Sequence, residues 1–234
     1  MKTSGRAIIS ASLALLITFL TSCHATGQVV ETGIEVMASN NFEILQGKRV
    51  GLVTNPTGVD RNLRSTVDII NSAPGVKLTA LYGPEHGVRG EFTAGEYVES
   101  ETDPGTGLPV YSLYGKTRKP SPDMLNNIDI LVYDIQDIGS RSYTFISTLG
   151  LLMEAAAEKG IPVVVLDRPN PLGGIRMEGA VTRPGFFSFV SQFAIPYLHG
   201  MTVGELAMFL NGEGMLTNGT RCDLHVVKMN GWSR

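Results

Sequence analysis

Cysteine is nearly absent, with only Cys23 and Cys222 in 234 residues. No CxxC pair or Cys/His zinc pattern occurs, which excludes a thiolate metal site and leaves metal ligands out of the expected site. Nucleotide signatures are also missing. Gly83, Gly87 and Gly90 do not make G-x-G-x-x-G, no Walker A lysine exists, and no cofactor is implied. Without a G-x-S-x-G nucleophile elbow, the chain does not read as a serine esterase of the usual kind. Excess basic charge is lacking too. Lys and Arg number 19 against 22 Asp and Glu, a formal charge of −3, so nucleic acid is not an expected partner. Neither an internal repeat nor a low-complexity segment is visible.

The longest N-terminal apolar run, Ala7 to Leu20, is shorter than the roughly 20 residues of a spanning helix. Lys2 and Arg6 precede it and Thr21-Ser22-Cys23 follow, the order of a secretory signal. Leu20-Thr21-Ser22-Cys23 resembles a bacterial lipobox. Residues 1–22 are therefore expected to be a lipoprotein-type signal peptide, with Cys23 lipidated as a membrane anchor. A plain signal cut near Ala25 is the alternative. Cleavage before Cys23 removes Lys2 and Arg6 and no acid, taking the formal charge from −3 to −5. A lipidated Cys23 leaves Cys222 without a disulfide partner. The small, polar stretch 23–40 reads as a tether, and residues 41–234 as the folded domain. An exported periplasmic or cell-surface lipoprotein is expected.

From Lys48 onward, apolar strand runs alternate with helix-period segments. Strands are expected at 49–55, 76–82, 109–114, 128–134, 161–167 and 223–229. Ile128–Asp134 is almost continuously apolar, as suits a central strand covered on both faces. Leu63, Val67 and Ile70 are spaced for one helix face. A longer helix is expected from Thr144 to Lys159, with Gly160 past its end. Thr202 and Glu205 have capping-box spacing and open another, to about Asn211. This order predicts an α/β fold: a parallel sheet with helices on both faces.

Ligands of such sheets bind outside the carboxyl ends of the strands. Polar residues gather there after four strands: Asn55; Glu85, His86 and Arg89; Asp134, Gln136, Asp137, Arg141 and Tyr143; Asp167, Arg168 and Asn170. The strand starts carry no such collection, and that asymmetry points to an enzyme. Glu85 is the sharpest candidate, because Pro84 fixes one backbone dihedral and the flanking glycines permit a tight turn. A carboxyl held rigidly beside apolar residues is the kind that serves as an acid at neutral pH. Its bland alternative is a helix cap, with His86 packed on the sheet. Asp134 and Asp137 are candidates for a second carboxylate, or for orienting Arg141 and its neighbours. Arg89, Arg141 and Arg168 could grip an anion bidentately, or form ordinary surface ion pairs. Asn170, between two prolines, shapes a turn or reads a sugar hydroxyl. His199 reads as structural. Carboxylates, arginines, amides and tyrosines are the residue types of glycoside hydrolysis.

Five runs in order, Gly51–Gly58 (GLVTNPTG), Leu81–Gly90 (LYGPEHGVRG), Pro109–Gly115 (PVYSLYG), Val132–Gly139 (VYDIQDIG) and Val165–Pro171 (VLDRPNP), closely resemble the NamZ-like exo-β-N-acetylmuramidases. The resemblance runs from about Gly33 to Met229. It implies a Rossmann-like catalytic domain followed by a smaller C-terminal domain, here largely missing. It also implies release of N-acetylmuramic acid from the non-reducing end of peptidoglycan fragments, in cell-wall recycling, with Glu85 at the family's proposed catalytic position. Two other functions fit the same residues. One is a metal-dependent envelope hydrolase using His86, Asp134, Asp137 and Asp167. The other is a non-catalytic muropeptide-binding lipoprotein.

Overall fold

The computed structural model describes residues 29–90, 93 and 101–234. The expected signal segment and Cys23 lie outside the described residues. In chain order the elements are α1 (Gly33–Ser39), β1 (Arg49–Thr54), α2 (Thr66–Asn71), β2 (Lys77–Gly83), β3 (Glu101–Thr102) and β4 (Pro109–Ser112). They continue with β5 (Ile130–Asp134), α3 (Phe145–Lys159), β6 (Val163–Leu166), α4 (Val203–Gly212) and β7 (Leu224–Val227).

The seven described strands form one sheet in the order β3-β4-β2-β1-β5-β6-β7. Every pairing is parallel except that of β3 with β4 at the edge. Alternation along each strand feeds two cores, because successive side chains point to opposite faces. Val50, Leu52, Ile130, Val132, Val164 and Leu166 meet α1 and α2 on one face. Val53, Leu131, Tyr133, Val163 and Val165 meet α3 and α4 on the other. Each fully buried Leu, Val or Ile contributes about 1.5–3 kcal/mol by leaving water, so both faces are needed. This is the expected parallel sheet covered on both sides.

Capping residues set the helix ends as read from the sequence. The Thr202 side chain accepts from the Glu205 amide at 3.2 Å, and the Glu205 carboxylate accepts from the Thr202 amide at 2.9 Å, closing the capping box of α4. Gly160, at φ 72°, ends α3 in the left-handed conformation that favours glycine.

Two expectations need correction, and one strand was not expected. The tether expected over 23–40 gives way to folded chain from Glu31, where Glu31 and Asn230 exchange backbone hydrogen bonds. Within it, α1 carries its own capping box of Thr32 and Glu35 and buries Ile34 and Met37, one helical turn apart. Leu63 does not share a face with Val67 and Ile70. It is 80% exposed in a turn at φ 61°, where Asp60 accepts from the Asn62 and Arg64 amides and holds the chain out of helix until Ser65 caps α2. The short edge strand β3 had no periodicity long enough to mark it.

The chain moves from β1 outward to β2 and β4, then returns to the other side of β1 for β5, β6 and β7. That reversal makes a topological switch point between β1 and β5, and a crevice opens above such a point at the strand carboxyl ends.

Candidate active site

The loops after β1 and β5 meet at the switch point and lock together. Thr54 donates its hydroxyl to the Asp134 carbonyl at 2.7 Å. Asn55 Oδ1 accepts from the Thr57 amide at 3.0 Å, and Thr57 Oγ1 accepts from the Gln136 amide at 2.9 Å. Gly58 lies so close beneath them that a Cβ there would stand 2.1 Å from Thr54 Oγ1 and 2.8 Å from the Asp134 carbonyl. Gln136 then ties this loop to the one after β6, donating to the carbonyls of Asp137 at 2.6 Å and Pro169 at 2.7 Å. Asn55 and Gln136 thus serve as framework.

Asp134, at the end of β5, is fully buried. Arg168 grips both of its oxygens, Nε at 2.6 Å and Nη2 at 2.8 Å, and Thr66 donates its hydroxyl to Oδ2. Arg168 Nη2 also donates to the Val59 carbonyl at 3.0 Å. Asp167 is committed as firmly. Its Oδ1 accepts from the Gly204 amide at 2.8 Å and its Oδ2 from the Thr202 hydroxyl at 3.0 Å, anchoring the N-terminus of α4. Burial pushes the Asp167 carboxyl above its usual range, against the pull of these hydrogen bonds. Asn170 donates to the Met201 carbonyl and accepts from the Leu172 amide, both at 2.8 Å, which shapes the turn after β6.

Asp137 is different. Its Oδ2 accepts from the Gly139 amide at 2.8 Å and pairs with His199 Nε2 at 3.1 Å. The Met201 amide donates to His199 Nδ1, so the ring proton sits on Nε2 and points at the carboxylate. Asp137 Oδ1, also buried, has no hydrogen-bond partner among the described residues. A bare buried carboxylate oxygen is uncommon and calls for a functional account.

Glu85 sits in the turn Pro84–Gly87, closed by the Gly87 amide donating to the Pro84 carbonyl at 3.0 Å. His86, at φ 75°, adopts the left-handed conformation that costs non-glycine residues about 1–3 kcal/mol and that clusters at functional sites. The register of β2 on β4 pairs Gly83 with Ser112, and Leu113 donates its amide to the Gly83 carbonyl at 2.8 Å. Tyr114 therefore emerges beside Glu85. Its hydroxyl hydrogen-bonds the Glu85 side chain, a bond that pushes the phenol above its usual range.

The arginines expected to grip an anion are largely occupied. Arg89 pairs with Asp103 at 2.6 Å and Asp68 at 3.0 Å. Arg141 donates to the Ala180 carbonyl at 2.8 Å and to the Ser191 hydroxyl, and lies over the Tyr197 ring at 5.6 Å. Arg168 is held by Asp134. Tyr143 is half-exposed, its ring 5.5 Å from Phe145. The ligand set of the metal-dependent alternative is not gathered, since no three His, Cys, Asp or Glu side chains among the described residues cluster as a metal site.

Tyr114 and the His199–Asp137 pair went unrecognised in the sequence as site features. Extending the strand-end rule to β4 would have found Tyr114. The pairing of His199 and Asp137, 62 residues apart, left no local signal.

A family model described as "Exo-beta-N-acetylmuramidase NamZ, N-terminal" matches residues 50–234. Over 205 residues the chain is 55% identical to the peptidoglycan β-N-acetylmuramidase NamZ of Bacillus subtilis (strain 168), covering 88% of this chain and 49% of that protein. Crystal structures of two DUF1343 family proteins from Bacteroides fragilis NCTC 9343 superpose with TM-scores of 0.82 and 0.76, at 63% and 36% identity. Each alignment covers 88% of this chain, and 51% and 53% of those chains. The chain spans about half the length of the relatives it matches.

Proposed function

We infer that this chain, which belongs to the family of NamZ exo-β-N-acetylmuramidase N-terminal domains, carries the catalytic acid of a glycosidase that frees N-acetylmuramic acid from the non-reducing end of peptidoglycan fragments. The observation that carries this reading is the placement of Glu85. It stands on a constrained turn at the carboxyl end of β2, with the Tyr114 hydroxyl bound to its carboxyl. In its protonated form Glu85 gives its proton to the glycosidic oxygen as the bond to the sugar breaks, and a water molecule adds to the anomeric carbon and yields a proton to a carboxylate. The Tyr114 hydroxyl then donates to the carboxylate left behind.

Asp134 orients rather than reacts, because both of its oxygens are taken. Asp137 keeps one oxygen free of partners among the described residues, and it fits the partner carboxylate better. His199 holds the other oxygen in place.

A role in cell-wall recycling, export through residues 1–22 and lipidation at Cys23 belong to the same proposal. They rest on the N-terminal sequence pattern and on peptidoglycan lying outside the cytoplasm. The test is to incubate the protein with a β-linked N-acetylmuramyl-N-acetylglucosamine disaccharide and measure both free sugars over time. Release of N-acetylmuramic acid in step with N-acetylglucosamine is expected. Binding of the disaccharide without release would overturn the enzymatic reading in favour of a muropeptide-binding protein.

A further inference from the structure

N-acetylmuramic acid differs from N-acetylglucosamine by a lactyl ether whose carboxylate is charged at neutral pH. A guanidinium suits it, but Arg89 and Arg168 are already paired with carboxylates, and Arg141 donates to the Ala180 carbonyl and the Ser191 hydroxyl, leaving its buried Nε without a partner among the described residues. Arg118 is placed for the task. It follows Tyr114 by four residues, beyond a turn at Gly115 (φ 94°), in the segment that leaves β4 where its register sets Ser112 and Leu113 against Gly83 at the start of the Glu85 turn.

The loop 183–190 comes across from the other half of the chain and sets the Phe189 ring against Arg118, with the guanidinium carbon 4.5 Å from the ring centroid. Arg118 takes part in none of the ion pairs among the described residues. Stacking occupies the flat face of a guanidinium and leaves the N–H edge open. That edge is what binds a carboxylate through two parallel hydrogen bonds. The Phe189 ring therefore holds the Arg118 charge by a cation–π contact that takes none of its N–H groups as a hydrogen bond to an oxygen.

We propose that Arg118, held against Phe189, binds the lactyl carboxylate of the terminal muramic acid and sets the preference of the Glu85 site for muramyl over glucosaminyl ends. This inference rests on the muramidase reading above for its substrate class.

The experiment measures equilibrium binding of free N-acetylmuramic acid and of N-acetylglucosamine to the whole chain by titration calorimetry, for the wild type, Arg118→Ala, Arg118→Lys and Phe189→Leu. Arg118 is exposed, so its truncation should leave the fold intact, and a thermal melt of each variant checks this. The wild type should prefer N-acetylmuramic acid. Arg118→Ala should weaken that sugar by ~10–100-fold, the scale of hydrogen bonds to a charged group, and leave N-acetylglucosamine unchanged. Arg118→Lys should recover part of the loss, and Phe189→Leu should show a smaller loss for N-acetylmuramic acid alone.

A preference that survives Arg118→Ala overturns the assignment of Arg118 and leaves the muramidase reading standing. A wild type with no preference overturns it as well, since there is then no selectivity to explain. Arg118-dependent binding without release of sugar from the disaccharide supports the carboxylate site while the catalytic reading fails.

Discussion

Arg168 meets Asp134 in a two-point ion pair, Nε and Nη2 standing 2.6 and 2.8 Å from the two carboxylate oxygens, with Asp134 fully buried and Arg168 nearly so. The pair joins the ends of β5 and β6 beneath the crevice. Removing one partner strands the other charge away from water, which costs about 3–5 kcal/mol. Arg168→Met and Asp134→Leu should each lower the unfolding free energy by that amount in urea titrations. The double variant should recover part of the loss, because neither charge is then left alone.

Tyr114→Phe removes a hydroxyl and almost no volume. Its loss should lower turnover of a β-N-acetylmuramide by ~10–100-fold, the scale of one hydrogen bond to a charged group. The thermal unfolding midpoint should stay within about a degree or two, since the ring is only partly buried at the strand end. A fall in stability with unchanged turnover would make Tyr114 a packing residue.

The fold should also carry an acid-sensitive tie at α1. Burial pushes the Glu35 carboxyl up, but Arg61 and the capping hydrogen bonds of Thr32 outweigh it and bring it from the ordinary 4.5 to about 2. A depressed carboxyl favours the folded state above its unfolded value and loses that contribution as pH falls through its folded one. The urea midpoint of the wild type should therefore drop between pH 4.5 and about 2 more than that of Glu35→Gln, which has no such proton to take up.

Lipidation at Cys23 is checked by expressing the full chain in a bacterial host fed a labelled fatty acid. Label should enter the wild type and disappear in Cys23→Ser. An unlabelled wild type processed near Ala25 would support plain signal cleavage.

Much of this architecture was legible because it rests on local patterns. The apolar run ending at Asp134 marked a central strand, and the Thr202–Glu205 spacing marked a helix start. Helix α1 was hidden because seven residues are too few to show a helical period, and the Thr32–Glu35 capping spacing and the Ile34–Met37 pair were the available signs. Site roles were harder for a different reason. Arg168 and Asp134 lie 34 residues apart, and Arg89 lies 14 from Asp103, so nothing local showed that these arginines were already paired. Strand-end topology could say which residues gather at the crevice, but not which of them keep a free hydrogen-bonding edge.

The central claim is that Glu85 is the proton donor, and kcat on a β-N-acetylmuramide for the wild type against Glu85→Gln tests it most directly. The amide keeps the shape of the side chain and removes its acid proton. A fall of ~10²–10⁴-fold, with sugar binding and the unfolding midpoint preserved, is the predicted result. Turnover equal to that of the wild type would contradict it.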